Sequence, residues 1–312
     1  MRRREFLKSA AIAAVGAYGY QSPKQAPKQA QKLVAITMDD FNLFRASDEV
    51  ASKRNRAILD ALKRHSDVKA TIFVAGSNVD HPLGKRLLNE WNDAGHMIGN
   101  HTYSHRNYAT SNFDEYCRDI MRNDELLKGY SQFRRYFRFP MLKEGATAEQ
   151  RDRMRAFLTK NGYSMGYVTI DNSDWYIDSR LRERIAKSPN GDTSVYRNYY
   201  LDHVMDRAAY YDKLAHETEG RQIKHTILVH HGALNAMYLG DLMDRFEKQG
   251  WKFINAEEAY RDPIFKELPK TVPAGESIVW ARAKEKGKLA ASLRYPAEDG
   301  DYIKAEMDKL GL

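Results

Sequence analysis

Short apolar runs alternate with longer stretches of helical period from residue 33 to residue 254, and that alternation leaves few folds open to the chain. Residues 33–37, 68–75 and 96–100 read as strands, separated by helices over 50–65 and 82–94, the second with proline near its start and Gly95 behind its end. Further strands are predicted at 136–139, 165–169, 226–230 and 251–254, with helices near 113–128, 148–161, 194–219 and 237–249. Strands separated by helices pair in parallel. About seven such units in roughly 230 residues favour a distorted (β/α)7-8 barrel, with an open doubly wound sheet as the alternative.

The residues with chemistry fall at one edge of that sheet. Asp39 and Asp40 end the first strand, His101 follows the third, Arg138 ends the fourth, Asp174 follows the fifth and His230 ends the sixth. Barrel enzymes build their sites at the C-terminal ends of the strands. His101-Thr102-Tyr103-Ser104-His105 sets two imidazoles four residues apart, a spacing that also occurs on solvated helix faces. The adjacent carboxylates of Asp39-Asp40 add the rest of a ligand set. Two neutral imidazoles and one carboxylate suit a borderline divalent ion and leave a position open for water or substrate. Because side chains alternate along a strand, one of the two acids can bind metal while the other handles a proton.

Charge is unevenly spread along the 312 residues, whose formal net charge is +8. Arg2, Arg3, Arg4, Lys8, Lys24 and Lys28 against Glu5 place +5 of that in the first thirty residues, and the remainder is mixed in sign. Such a surface offers no electrostatic footprint for nucleic acid. The basic start followed by the weakly apolar residues 10–17 resembles a twin-arginine export signal. Its apolar run is far below the ~20 residues of a membrane span, so release by cleavage after Ala17 is expected rather than a stable membrane anchor. Residues 1–32 are read as export signal and flexible leader, with the twin-arginine export machinery as partner and a periplasmic or secreted destination. Cys117 is the only cysteine, which excludes an intramolecular disulfide.

Five motifs in order give the chain a resemblance to the polysaccharide deacetylases of the NodB-homology type, carbohydrate esterase family 4. In Thr37-Met38-Asp39-Asp40, where the family usually has an aromatic at Met38, the resemblance implies Asp39 as general base and Asp40 as metal ligand. It further implies His101 and His105 as the other ligands, Arg138 of Arg138-Phe139-Pro140-Met141 as the holder of the base, and Asp174 as the residue tuning a catalytic histidine. Trp175 would line the substrate groove, and His230 of Ile227-Leu228-Val229-His230 would be the general acid. Met141-Leu142 replaces the family's aromatic and glycine, which puts the acyl pocket in question, although the Met141 N–H can still face an oxyanion. His231 beside His230 makes the acid ambiguous by one residue, and strand alternation allows only one of them to face the site.

The expected protein is therefore an exported, metal-dependent deacetylase. It would remove N-acetyl groups from an amino-sugar polymer or oligosaccharide such as chitin or peptidoglycan. The alternatives are hydrolysis of a small non-sugar amide at the same site, or a carbohydrate-binding protein that has lost catalysis. Zinc is the default ion, with cobalt, nickel or manganese also accommodated by the ligand set. His65, His81, His203, His216 and His225 are read as structural or solvated, and the tyrosines between Tyr196 and Tyr211 as core at helical spacing. Residues 33–262 form the barrel in this reading, and 263–312 a C-terminal extension packing on it.

Overall fold

The computed structural model describes residues 30–43, 46–65, 68–288 and 300–312; the export signal and nearly all of the leader lie outside the described residues. The elements run β1 (Lys32–Asp40), α1 (Asp48–Arg64), β2 (Thr71–Val74), α2 (Pro82–Asp93), β3 (Met97–Asn100), α3 (Phe113–Leu127), β4 (Phe133–Phe137), β5 (Lys143–Gly145), α4 (Ala148–Lys160), β6 (Ser164–Met165), α5 (Asp174–Lys187) and α6 (Ser194–Glu219). They continue with β7 (Lys224–His230), α7 (Ala233–Lys248), β8 (Trp251–Phe253), α8 (Ala256–Ala259), β9 (Ala274–Gly275), α9 (Ile278–Glu285) and α10 (Gly300–Lys309). Helix starts follow their caps: Ser47, His81, Asn112 and Thr147 each accept a backbone N–H of the first turn of α1, α2, α3 and α4.

The parallel sheet has the order β6-β4-β3-β2-β1-β7, with β8 pairing the start of β1. The named strands do not close on themselves. Residues 166–170 nonetheless connect the two edges. Gly166 N–H donates to Phe137 O at 2.7 Å on the β4 side, while on the β7 side Ile170 N–H donates to Thr226 O at 3.0 Å and Ile170 O accepts from Leu228 N–H at 3.1 Å. This is the distorted barrel that the alternation of strands and helices implied. The strand expected at 165–169 is shorter than predicted, because side chains take over ladder positions: Thr226 Oγ1 donates to Tyr167 O at 3.0 Å and Thr169 Oγ1 to Thr226 O at 2.9 Å.

Strands buried on both faces carry the core. Met38, Ile72 and Ile98 lie in register across β1, β2 and β3 without exposure, each contributing roughly 2 kcal/mol by burial as an upper figure. Tyr196, Tyr200 and Tyr211 of α6 are buried in the same core. Helix α5 was not foreseen from apolar period. Its buried stripe is Asp174, Ile177, Asp178 and Leu181, so half of it is acid, and Asp178 Oδ1 accepts Leu234 N–H at 2.8 Å at the start of α7.

The C-terminal residues lie against the barrel through β9, antiparallel to β5, through α9, which packs on α6, and through α10, where Asp308 pairs with Arg180 at 2.9 Å and Glu306 accepts from Tyr199 Oη at 2.8 Å. Among the described residues no helix is long and apolar enough to cross a membrane.

Candidate metal and catalytic centre

Register brings the motifs together. Asp39 is paired with Phe73 on one side and His230 on the other, while Asp40, Val74, Asn100 and Phe137 form a row across β1 to β4. The residues that follow those strand ends, His101 and Arg138 among them, therefore emerge side by side. Asp40 leaves the strand at φ 77°, and Thr102 and His105 also lie at positive φ, of 64° and 53°. Each such residue costs on the order of 1 kcal/mol and persists only where its surroundings hold it.

The hold is visible for the histidine motif. Asn100 Oδ1 accepts Thr102 N–H at 2.9 Å, Thr102 Oγ1 accepts His105 N–H at 3.0 Å, and Asp119 Oδ2 accepts the N–H groups of Tyr103 and Ser104 at 3.1 and 2.9 Å. Asp40 O accepts from Asn78 Nδ2 at 2.9 Å.

Asp40, His101 and His105 converge on a candidate metal site. Nε2 of His105 lies 3.0 Å and Nε2 of His101 3.4 Å from Asp40 Oδ1, an oxygen that is buried and has no hydrogen-bond partner. His101 Nδ1 is 2.8 Å from Arg138 O, so it donates there and leaves its Nε2 lone pair on the Asp40 side. Burial opposes ionisation of Asp40, yet the two imidazoles hold its carboxyl well below the usual range. Two imidazole nitrogens around one orphaned carboxylate oxygen, three ligand atoms in all, fit a divalent cation. Among the described residues a second histidine–carboxylate group, His65 with Asp244 and Glu247, has its ring nitrogens 3.5 and 3.3 Å from carboxylates of two exposed acids.

Beside the candidate metal site, Arg138 Nη1 donates to Asp39 Oδ1 at 2.6 Å. Its other nitrogens donate to Gly166 O at 2.7 Å, Thr37 Oγ1 at 2.9 Å and Tyr260 Oη at 3.0 Å, and its guanidinium carbon lies 4.1 Å from the centre of the Phe73 ring. That ring needs Gly99 and Gly166, where a Cβ would come within 2.6 and 2.4 Å of it.

His230 and His231 have opposite environments. His230 Nδ1 pairs with Asp174 Oδ1 at 2.7 Å, and Asp174 Oδ2 accepts the His230 backbone N–H at 2.7 Å and Asn235 Nδ2 at 2.8 Å. Burial works against the charged imidazole, but Asp174, with Asp40 and Asp39, raises its pKa to about 10. His231 is stacked on Phe41 at 4.4 Å, has Nε2 3.1 Å from Asn55 Oδ1, and is pushed by burial down to about 4.

Met141 and Trp175 are both partly exposed, Met141 in a turn with φ 54° and Trp175 in the first turn of α5. A groove of about 500 Å³ bordered by Asn42, Ser77, Asn78, His81 and Arg182 runs beside Asp40, whose carbonyl Asn78 holds.

Several residues escaped the sequence reading. Asn100 and Asn235 stand close to motif histidines, which was a usable signal; Asp119 and Tyr260 are brought in by distant elements and had none. His203, read as structural or solvated, is buried and accepts Ser173 N–H at 3.2 Å, which steadies the residue before Asp174.

Residues 26–165 match the family model described as polysaccharide deacetylase, a stretch that contains Asp39, Asp40, His101, His105 and Arg138 and ends before Asp174 and His230. Over residues 26–165, a little under half of its length, the chain is thus similar to the polysaccharide deacetylases. A peptidoglycan-N-acetylglucosamine deacetylase of Bacillus cereus is 36% identical over 120 residues, 38% of this chain and 40% of that protein. The peptidoglycan-N-acetylmuramic acid deacetylase PdaA of Bacillus subtilis is 27% identical over 204 residues, 64% of each chain. The matches thus span less than two thirds of the length of either relative. The Bc1960 peptidoglycan N-acetylglucosamine deacetylase shares the fold, with a TM-score of 0.51 at 22% identity over 74% of this chain and 89% of that one.

Proposed function

We propose that the protein is a divalent-metal-dependent hydrolase that removes N-acetyl groups from an amino-sugar polymer or oligosaccharide of the peptidoglycan or chitin type. The observation that carries this reading is the convergence of His101 and His105 on Asp40, with Asp39 and His230 paired across β1 and β7 beside it. Asp40, His101 and His105 would hold the ion, with zinc as the default. When bound, such an ion supplies Lewis acidity for the acetyl carbonyl and lowers the pKa of water toward ~7.

The chain's own residues supply the proton transfers. Water adds to the acetyl carbon and gives its proton to Asp39, which the Arg138 ion pair at 2.6 Å holds in place. The Met141 N–H faces the developing oxyanion. The C–N bond then breaks as His230, kept protonated by Asp174, gives its proton to the departing nitrogen, leaving acetate and a free amine. Trp175 lines the sugar groove. Residues 1–32 would direct the protein through the twin-arginine machinery to the periplasm or beyond.

The test is acetate release from N-acetylchitooligosaccharides and from peptidoglycan by metal-free protein, before and after addition of zinc or cobalt. Metal-dependent acetate supports the reading. Absence of acetate from either substrate with one metal bound per chain shifts the assignment to a non-sugar amide or to binding alone.

A further inference from the structure

Among the described residues, seven non-glycine residues have φ between 52° and 77°. Six sit in the three loops that carry the site: Asp40 and Phe41, Thr102 and His105, Met141 and Leu142. The seventh is Glu276, far downstream in the C-terminal segment, and it touches the third of those loops.

Glu276 N–H donates to Leu142 O at 3.1 Å, and its carboxylate pairs with Lys143 Nζ at 2.6 Å. Gly275, at φ 120°, is paired with Lys143 in the two-stranded β5–β9 sheet. A Cβ on Gly275 would lie 1.8 Å from Leu142 O and 2.9 Å from the carbon of that carbonyl, so the approach excludes any side chain. On its other side the same segment is anchored to the residues that bridge the barrel's edges: Ser277 Oγ donates to Thr169 O at 2.8 Å and Ile278 N–H to Val168 O at 2.8 Å.

Two consecutive left-handed residues with side chains are sterically disfavoured, so a turn such as Met141-Leu142 relaxes unless its neighbours hold it. Leu142 N–H is tied to Phe139 O at 3.0 Å, and the carbonyl of the same residue is tied to Glu276. Met141 is itself 45% exposed, so the restraint on its peptide comes through Leu142.

We propose that β9 together with Glu276 is a positioning element of the site: it holds the Met141-Leu142 turn left-handed and thereby sets the direction of the Met141 N–H. Its catalytic consequence rests on the reading of that N–H as the oxyanion donor. The C-terminal segment then does more than cover the barrel, since it fixes the acyl side of the centre where this chain has Met141-Leu142.

The experiment uses the full metal-loaded chain with Gly275→Ala, Glu276→Gln and, as a control elsewhere in the segment, Glu267→Gln, whose exposed carboxylate pairs with Arg282 at 2.6 Å. Three quantities are followed: bound metal, amide hydrogen exchange at Met141 to Lys143 against Thr102 to His105, and kcat and KM for acetate release. In the two site variants, exchange at Met141 to Lys143 rises about tenfold or more while Thr102 to His105 and the metal are unchanged. Their kcat falls on the order of ten- to a hundredfold with KM within about twofold, and Glu267→Gln behaves as wild type. Unchanged exchange in the folded variants overturns the proposal, and so does accelerated exchange with an unaltered kcat. Wild-type protein that releases no acetate overturns the hydrolase reading instead, and the exchange measurement still decides whether the brace exists. Should Gly275→Ala not fold, Glu276→Gln, which adds no heavy atoms, decides alone.

Discussion

Arg138 Nη1 lies 2.6 Å from Asp39 Oδ1, and each of the two side chains is only 1–3% exposed. A buried pair of this kind is costly to break from one side, by ~3–5 kcal/mol, because the remaining charge has no solvent to turn to. Arg138 has three further acceptors, in Gly166, Thr37 and Tyr260, so it tolerates a neutral neighbour better than Asp39 tolerates loss of the guanidinium.

Asp39→Asn is accordingly expected to fold, to retain its metal and to lose turnover by roughly two to four orders of magnitude, the loss typical of a missing general base. Acetate release and metal content on the same sample check it. Turnover equal to wild type removes Asp39 from the mechanism.

Replacing either histidine of the candidate metal site separates binding from folding. His101 is almost fully buried with Nδ1 2.8 Å from Arg138 O, whereas the His105 side chain is 32% exposed. Both His101→Ala and His105→Ala are expected to lose stoichiometric metal and activity. Only His101→Ala is expected to lower the thermal midpoint of the metal-free protein as well. Metal titration and calorimetry read the two effects, and full metal retention in His105→Ala contradicts the ligand set.

The adjacent histidines of β7 give a sharper contrast. His230→Ala removes the proton donor held by Asp174 and is expected to cut kcat by roughly 10²–10⁴ with a folded chain. His231→Ala empties a site stacked on Phe41 at 4.4 Å and is expected to cost ~2–4 kcal/mol of stability, with turnover per folded molecule kept within a few fold. Equal kinetic defects in the two variants contradict the assignment.

Much of this centre was legible because it is written at strand ends. Apolar runs located β1, β3 and β7, and strand alternation required that only one of His230 and His231 face the site, without choosing between them. What local pattern could not show is the support. Helix α5 hides behind a buried stripe that includes Asp174 and Asp178, whose carboxylates satisfy backbone N–H groups of β7 and α7. Asp119 reaches the histidine loop from α3, Tyr260 reaches Arg138 from the end of α8, and Gly275 and Glu276 reach Leu142 from the C-terminal segment. Such partners are chosen by tertiary geometry, so neither period nor spacing marks them.

Two buried histidines predict how stability responds to acid. Burial pushes His203 down to about 3 and His231 to about 4, below the ~6.5 of an unfolded histidine. Above pH ~6.5 both are neutral in either state and cost nothing; as pH falls from there toward 4, the unfolded chain takes protons that the folded chain refuses. Each then removes stability with a slope approaching ~1.4 kcal/mol per pH unit. His225 is shifted the same way by burial. His230, raised to about 10, acts oppositely, adding stability as pH falls from 10 and levelling off below ~6.5. The interval from pH 6 to pH 5 therefore isolates the buried neutral histidines, ahead of most carboxylate titration. Urea midpoints of the metal-free protein are expected to fall steadily across it. His203→Gln, whose amide oxygen can still accept Ser173 N–H, is expected to fall less steeply by one proton's share. A midpoint that stays flat from pH 6 to pH 5 means that these imidazoles are solvated rather than enclosed.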